Sequence, residues 1–500
     1  MRYYKLLSSE QIKYWDKETM RIQQISSEEL MERAGINLYE SLIKKFKKKL
    51  AKSPVYVFCG VGNNGGDGLV ISRLLILAGY DVKTVIVPFS KKFSGDFQSN
   101  LKKLENLNAD IKFFEKKMIL PSSSFVIDAI FGTGLNRPAE GIARESIDFI
   151  NKIRKKKLVS IDIPSGMYVD KPNEAGDSIV KSDLVLSIEL PKRSFYFPEN
   201  IPYIRKIKLV SIGLEKKVLK KLKTDYYTYK IKLKKDLPRP DNSYKYQFGH
   251  ACIIAGSYGM FGAGLLASKA ALRAGAGLVT AVMPAKAMIP LLDFAPEIMM
   301  KPAGKKYINS IPLLPSSITA TGIGPGLGLK EETAKSLLDL IEESKQSLIL
   351  DADALNILSK NKSYFKKLPS KSVLTPHEGE LKRLLDKNQW HNTLEKILSA
   401  RKTAHKYNLI FVLKGPYTVI TNGKKIFFNP YANGALAKAG TGDVLTGIIT
   451  GVQAQLQKPF KSALIGVQMH SKSAAKFNNK KFNKSGLLAS DLIENLKKMK

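Results

Sequence analysis

Twice along this chain, short apolar runs rich in β-branched residues alternate with stretches of helical periodicity, and nearly every run ends in a glycine or polar turn. A parallel sheet produces this pattern. Its strands are buried on both faces and read as continuous apolar runs, and each needs a crossover, usually helical, to reach the next. In the first half the runs lie at 55–58, 82–87, 125–127, 158–163 and 184–188; in the second at 250–255, 278–283, 318–321, 348–350 and 410–413. Between the halves, residues 216–235 are rich in lysine and tyrosine, and Leu237-Pro238-Arg239-Pro240-Asp241-Asn242 follows. That composition reads as a stiffened linker unable to pack a core. Two α/β domains are expected, 1–228 and 229–500, with a helix over 28–46 docked on the first.

Composition narrows the setting. A length of 500 residues exceeds a single core, and 44% hydrophobic content suffices for two. Cys59 and Cys252 each fall inside an apolar run, so buried thiols in a reducing cytoplasm are expected rather than a disulfide. No apolar run approaches the roughly 20 residues that span a bilayer, and the start lacks a signal-peptide core. The net charge of +37 invites a nucleic-acid partner, but the lysines are scattered in short groups such as Lys44-Lys45 and Lys220-Lys221, without a basic stripe interleaved with aromatics. A solvated basic surface that attracts small anions is the better reading. Neither a nucleic-acid nor a membrane partner is expected.

Chemistry gathers at the strand ends. In the first half, Gly60-Val61-Gly62-Asn63-Asn64-Gly65-Gly66-Asp67-Gly68 joins a strand to a helix. Its glycines suit close backbone approach to a pyrophosphate, and Asn63, Asn64 and Asp67 add donors and acceptors. Asp128, ahead of Phe131-Gly132-Thr133-Gly134, and Asp162, in Asp162-Ile163-Pro164-Ser165-Gly166, end two further strands that converge on the same crevice. Asn64, Asp128 and Ser165 offer hard oxygens for a monovalent or hard divalent cation rather than zinc, leaving Asp162 for proton transfer.

In the second half, Ala439-Gly440-Thr441-Gly442-Asp443 opens a helix. Unpaired N–H groups and the positive helix end suit a phosphoryl group in transfer, with Asp443 held ionised beside it as proton acceptor. The competing reading is that this turn only caps a helix. Upstream stand the small-residue run around Ala263, the glycine turn Gly322-Ile323-Gly324-Pro325-Gly326-Leu327-Gly328, Asp351 and Asp353, His377 in Thr375-Pro376-His377-Glu378-Gly379-Glu380, and Lys414-Gly415-Pro416-Tyr417-Thr418.

The motifs Asn-Asn-Gly-Gly-Asp-Gly, Asp-Ala-Ile-Phe-Gly-Thr-Gly and Asp-Ile-Pro-Ser-Gly follow Leu30-Met31-Glu32-Arg33-Ala34-Gly35, and the first half resembles the NAD(P)H-hydrate epimerases over nearly all of residues 1–225. The second half, from Gly249 through Gly486-Leu487-Leu488-Ala489-Ser490-Asp491-Leu492, is similar to the ADP/ATP-dependent NAD(P)H-hydrate dehydratases. The resemblance implies an α/β chain in which a Rossmann-like wound sheet precedes a ribokinase-like domain. It implies that Asn63, Asn64, Gly65, Gly66 and Asp67, the loop Gly132, Thr133, Gly134, Leu135, Asn136, Arg137 and Pro138, and Asp162 contact the hydrated dinucleotide, and that Asn64, Asp128 and Ser165 hold potassium. In the second half it implies that Ala263, Gly326, His377 and Asp443 line the substrate, that Lys414, Gly415, Pro416, Tyr417, Thr418 and Gly442 hold the adenine nucleotide with magnesium on its phosphates, and that Asp351 and Asp353 assist from behind.

Asp162 and Asp443 are thus the expected catalytic residues of a bifunctional, homo-oligomeric repair enzyme acting on hydrated NADH and NADPH with ADP, or ATP, as donor. The alternative is a ribokinase-like small-molecule kinase fused to a nucleotide-binding scaffold.

Overall fold

The computed structural model describes residues 1–153, 157–478 and 483–499. The chain forms two compact units, one of residues 5–224 and one of residues 1–4 with 225–500.

The first unit is built on seven parallel strands in the order Asp110–Phe113, Val82–Val87, Val55–Gly60, Phe125–Ala129, Lys157–Ile161, Leu184–Ile188, Ile207–Val210. The central strands Val55–Gly60 and Phe125–Ala129 are buried throughout, as a sheet covered on both faces requires. The helix Ser27–Leu50 is started by a capping box between Ser26 and Glu29 and ends in Lys47, Lys48 and Lys49, which suit the negative helix end. Its Leu38, Leu42 and Leu50 are buried in the cluster that contains Val55, Val57 and Phe125.

The expected loop over residues 63–67 is instead the opening of the helix Asn63–Leu77. Its glycines serve packing against the protein itself. A Cβ at Gly65 would fall 1.6 Å from the Gly60 carbonyl oxygen, one at Gly66 2.5 Å from the Met31 sulfur, and one at Gly68 2.7 Å from Cys59 Sγ. The helix therefore lies close on the strand and sheet that carry the site.

The second unit holds eleven strands in the order Arg2–Lys5, Tyr226–Lys230, Ile426–Phe428, Val419–Thr421, Ile410–Leu413, Val373–Leu374, Leu348–Leu350, Ala320–Ile323, His250–Ile254, Leu278–Met283, Met299–Pro302. Pairing is parallel from Met299–Pro302 to Ile410–Leu413 and antiparallel through Val419–Thr421 and Ile426–Phe428. The helix Thr441–Leu456 packs on Phe261–Arg273 at glycine contacts: a Cβ at Gly447 would lie 2.0 Å from the Ala267 oxygen, and one at Gly451 2.2 Å from that of Ala271. This close approach sets where Asp443, in the first turn, can stand.

One expectation needs correcting here. Residues 216–235 are not a coreless linker, because Tyr226–Lys230 pairs in parallel with Ile426–Phe428 and buries Thr228 and Tyr229. The Tyr229 hydroxyl donates to the Leu464 carbonyl at 2.9 Å, so the polar end of the ring is satisfied in the core. The first unit ends at residue 224, and the strand Arg2–Lys5 joins the second unit's sheet rather than the first's.

Candidate active sites

In the first unit a cleft of about 1000 Å³ opens at the carboxyl ends of the strands. Its walls include Asn63, Asn64 and Asp67 at the helix start, the whole 132–138 loop, and Asp162. Gly65 and Gly66 do not line it; they face the packing contacts described above.

Asp162 follows the strand Lys157–Ile161 with a left-handed φ of 63°. Such a backbone is uncommon for a residue with a Cβ, and the surroundings hold it. Its N–H donates to Leu186 O, its Oδ1 accepts from Ile188 N at 2.9 Å, and the same oxygen meets Lys192 Nζ at 2.7 Å. Lys192 is 2% exposed. Its ammonium also donates to the carbonyls of Ile188 and Leu190.

Asp67 and Asp16 share the cleft with this pair. Burial, then the charges of Asp162, Asp16 and Asp96, push the Asp67 carboxyl well above the ordinary range. Asp16, on the helix Ser9–Gln23, is pushed up to about 7 by burial and by Asp162, against the pull of Lys192.

Asp128 and Ser165 lie beneath the cleft, both fully buried. Asp128 accepts from Ser160 Oγ at 2.7 Å, Ser165 N at 2.9 Å, Ser165 Oγ and Ile130 N. Burial raises its carboxyl, and these four bonds pull it back. Asn64 stands over this cluster with its side chain against Gly132, whose Cβ would lie 3.1 Å from that of Asn64. Its amide nitrogen is buried with no partner among the described residues. Turning the amide over would place an oxygen at that buried position. With the Ser165 hydroxyl and the Asp128 charge, the donor set fits a hard cation.

In the second unit, Asp443 lies in the first turn of Thr441–Leu456, whose N-cap Gly440 has φ 82° and no side-chain cap. The Thr441 N–H donates to the Lys438 carbonyl at 3.4 Å, which leaves those of Gly442 and Asp443 open to an anion. Lys414, just after the strand Ile410–Leu413, does not bond Asp443. It donates to Asp351 Oδ1 at 2.7 Å and stands 3.7 Å from Glu380 Oε2. Asp351, 1% exposed, also accepts from Thr446 Oγ1 at 2.7 Å. Burial disfavours the charges on Asp351 and Lys414, but each more than restores the other's, so both stay charged.

Asp443 has no such compensation. Burial first, then the charges of Asp351 and Asp353, push it up to about 6 although Lys414 pulls it down. The expected ordinary carboxylate, held ionised by the helix end, is thus corrected to one whose proton affinity is raised by its neighbours.

The other expected residues assemble around these. A Cβ at Gly442 would lie 3.6 Å from Lys414 Nζ. Gly326, φ 58°, packs on Ala263, and Asp353 accepts from the Gly328 N–H at 2.8 Å. His377 caps the helix Glu378–Leu385; its Nδ1 accepts from Gly379 N at 3.0 Å, and its backbone N–H donates to Glu380 Oε2. Glu380 links His377 to Lys414, and burial raises its carboxyl. Gly415 and Pro416 are exposed, and Tyr417 and Thr418 half-buried. Asp16, Lys192 and Glu380 were not singled out from sequence. Glu380 lay inside a recognised motif, while nothing local marked Asp16.

Residues 27–194 match the family model described as YjeF-related protein N-terminus, and residues 251–498 that described as NAD(P)H-hydrate dehydratase. The bifunctional NAD(P)H-hydrate repair enzyme Nnr of Moorella thermoacetica is 32% identical over 93% of this chain and 91% of its own length. This chain belongs to the bifunctional NAD(P)H-hydrate repair enzyme family. The Nnr enzyme of Dictyoglomus turgidum is 31% identical over 98% of this chain and 97% of its own length. Among solved structures, the ADP/ATP-dependent NAD(P)H-hydrate dehydratase from Bacillus subtilis co-crystallized with ATP/Mg2+ is 30% identical and covers 52% of this chain and 92% of its own, with a TM-score of 0.46. Both Nnr relatives match this chain across both of its units. Among the described residues no helix is long and apolar enough to cross a membrane.

Proposed function

We propose that the first unit interconverts the R and S epimers of hydrated NADH and NADPH, and that the second dehydrates the S epimer with ADP as donor, releasing AMP and phosphate. The observation that carries this reading is Asp443, an unpaired carboxylate with a pKa of about 6 at an uncapped helix start beside Lys414. A base near that value is mostly ionised at neutral pH yet holds a proton better than a free aspartate. It takes the proton of the substrate hydroxyl as that oxygen attacks the terminal phosphorus. The donor's bridging P–O bond breaks, and the open N–H groups of the helix steady the charge in transit. The poor leaving group has become a phosphate. Its departure, with loss of the neighbouring ring proton, restores the double bond.

Ala263, Gly326 and His377 line the nicotinamide side, and Lys414, Gly415, Pro416, Tyr417, Thr418 and Gly442 the nucleotide side. Among the described residues no group of three or more His, Cys, Asp or Glu could hold a metal. Magnesium carried on the nucleotide phosphates would neutralise their charge. In the first unit Asn63, Asn64, Asp67, the 132–138 loop and Asp162 surround the substrate, with Gly65 and Gly66 packing the helix start behind them and Asp162 exchanging protons. The buried unpartnered amide of Asn64 supports a potassium site with Asp128 and Ser165. The enzyme works in the cytoplasm as a homo-oligomer.

The test is one mixture. Both hydrate epimers are incubated with ADP or ATP, following reduced-cofactor absorbance, phosphate and epimer ratio. Asp443→Asn abolishes dehydration and spares epimer exchange, and Asp162→Asn does the reverse. Equal loss of both activities in either variant overturns the assignment, and a stable phosphorylated alcohol would instead identify a small-molecule kinase.

A further inference from the structure

Epimer exchange at a carbon bearing both a hydroxyl and a ring nitrogen needs two proton-transfer groups of opposite state. Opening the ring moves a proton off the oxygen and another onto the nitrogen, and closing it reverses both. Asp162, held against Lys192, supplies the oxygen that receives one of them. The cleft must also supply an acid.

We propose that Asp16 is this second catalytic residue, the acid that works opposite the base Asp162 in the epimerase centre. The proposal rests on the function just assigned to the first unit and extends it. Asp16 lines the same cleft as Asp162 and Lys192, on a different element, the helix Ser9–Gln23. It makes no hydrogen bond or ion pair among the described residues, so its proton is not committed to a structural partner. Its neighbours explain why it carries one at neutral pH. Burial and the Asp162 charge raise it to about 7, and Lys192 limits the rise. Asp67, from the helix Asn63–Leu77, also faces it, and Lys13 lines the cleft from its own helix. Other charged groups packed on this helix are engaged elsewhere: Asp170 by Ser9, Glu215 by Gln23, and Lys221 by the field of Glu18.

In the forward step Asp162 takes the hydroxyl proton, the C–O pair becomes a carbonyl, the carbon–nitrogen bond breaks, and the nitrogen's pair takes the proton of Asp16. The resulting aldehyde rotates about its adjoining carbon–carbon bond. In the return step Asp16 recovers its proton as nitrogen attacks the other face, and Asp162 returns its proton to the oxygen. No atom or electron is gained, and no co-reactant is required. Helix Ser9–Gln23 thus contributes chemistry as well as packing.

The test uses the full chain without nucleotide, so that dehydration is silent, and follows conversion of the purified R hydrate by chromatography. Asp16→Asn is expected to lower kcat about 100-fold or more with KM little changed. It should also remove the fall in kcat/KM above pH ~7 that loss of the acid imposes on wild type. Asp16→Glu should retain part of the rate with a displaced high-pH limb. Dehydration of the S epimer, measured separately with ADP or ATP, should be unaltered and reports that the second unit is intact, while circular dichroism and the thermal transition report the first. A kcat for Asp16→Asn within about threefold of wild type, an effect confined to KM, or a high-pH limb that persists would each overturn the proposal. Should Asp16→Asn lose its thermal transition, Asp16→Glu decides: a moved limb supports the proposal and an unmoved one overturns it. If wild type itself fails to interconvert epimers, the function assigned to this unit falls, a result distinct from an active wild type with an active Asp16→Asn.

Discussion

Each unit sets a buried lysine among carboxylates, but the lysines do different work. In the first, Lys192 meets Asp162, the expected catalytic residue, at 2.7 Å. In the second, Lys414 meets Asp351 at the same distance, while Asp443 receives only part of its field. One arrangement pairs the reacting carboxylate directly with an ammonium, the other leaves it unpaired and able to hold or release a proton near neutral pH. The same two residue types thus yield an ion-paired or an unpaired reacting carboxylate, according to which one the ammonium touches.

Removing the lysines should expose this difference most strongly. Lys414→Met strands Asp351 as an unpaired buried charge, and the second unit should lose about 3–5 kcal/mol, read by urea unfolding. Lys192→Met acts on the catalytic group itself, and epimer exchange at pH 7 should fall about 100-fold as the Asp162 carboxylate loses its counter-charge. Identical behaviour of the two variants in both assays would erase the distinction. A smaller effect concerns pH. Asp443 must be ionised to accept a proton, so dehydration falls as pH drops through about 6. Between pH 7 and 5 the rate should decline about tenfold, as expected for one titrating base. A flat profile over that interval would remove Asp443 as the base. The finest test is Asp351→Asn, which deletes the neighbouring charge that helps raise Asp443 and frees Lys414 to act on it. The acid limb should then move about one pH unit lower. An upward move would contradict the electrostatic account.

The strands legible in sequence are the central ones. Val55–Gly60, His250–Ile254 and Ile410–Leu413 are buried on both faces, so burial writes them as unbroken apolar runs. Asp110–Phe113 and Met299–Pro302 lie at sheet edges, where exposure permits Asp, Lys and Pro, and their composition carries no such signal. Tyr226–Lys230 was obscured differently. Its tyrosines and the lysines around it read as solvated, yet Tyr229 satisfies its hydroxyl internally and enters the core. The glycine and acid motifs located both clefts because they sit at strand ends, where the backbone itself brings them together. Lys192 and Asp16 reach the first site only through tertiary packing. The raised proton affinity of Asp443 was hidden for the same reason, since Asp351 and Asp353 belong to another strand end and act through space.

The strand Arg2–Lys5 gives the second sheet a discontinuous origin. Its neighbour Tyr226–Lys230 pairs in turn with Ile426–Phe428, so segments far apart in sequence must meet before that edge can close. Such long-range closure slows assembly. Scission after residue 224 would leave one ribbon of the dehydrating half attached to the other fragment, and neither product would correspond to a whole unit.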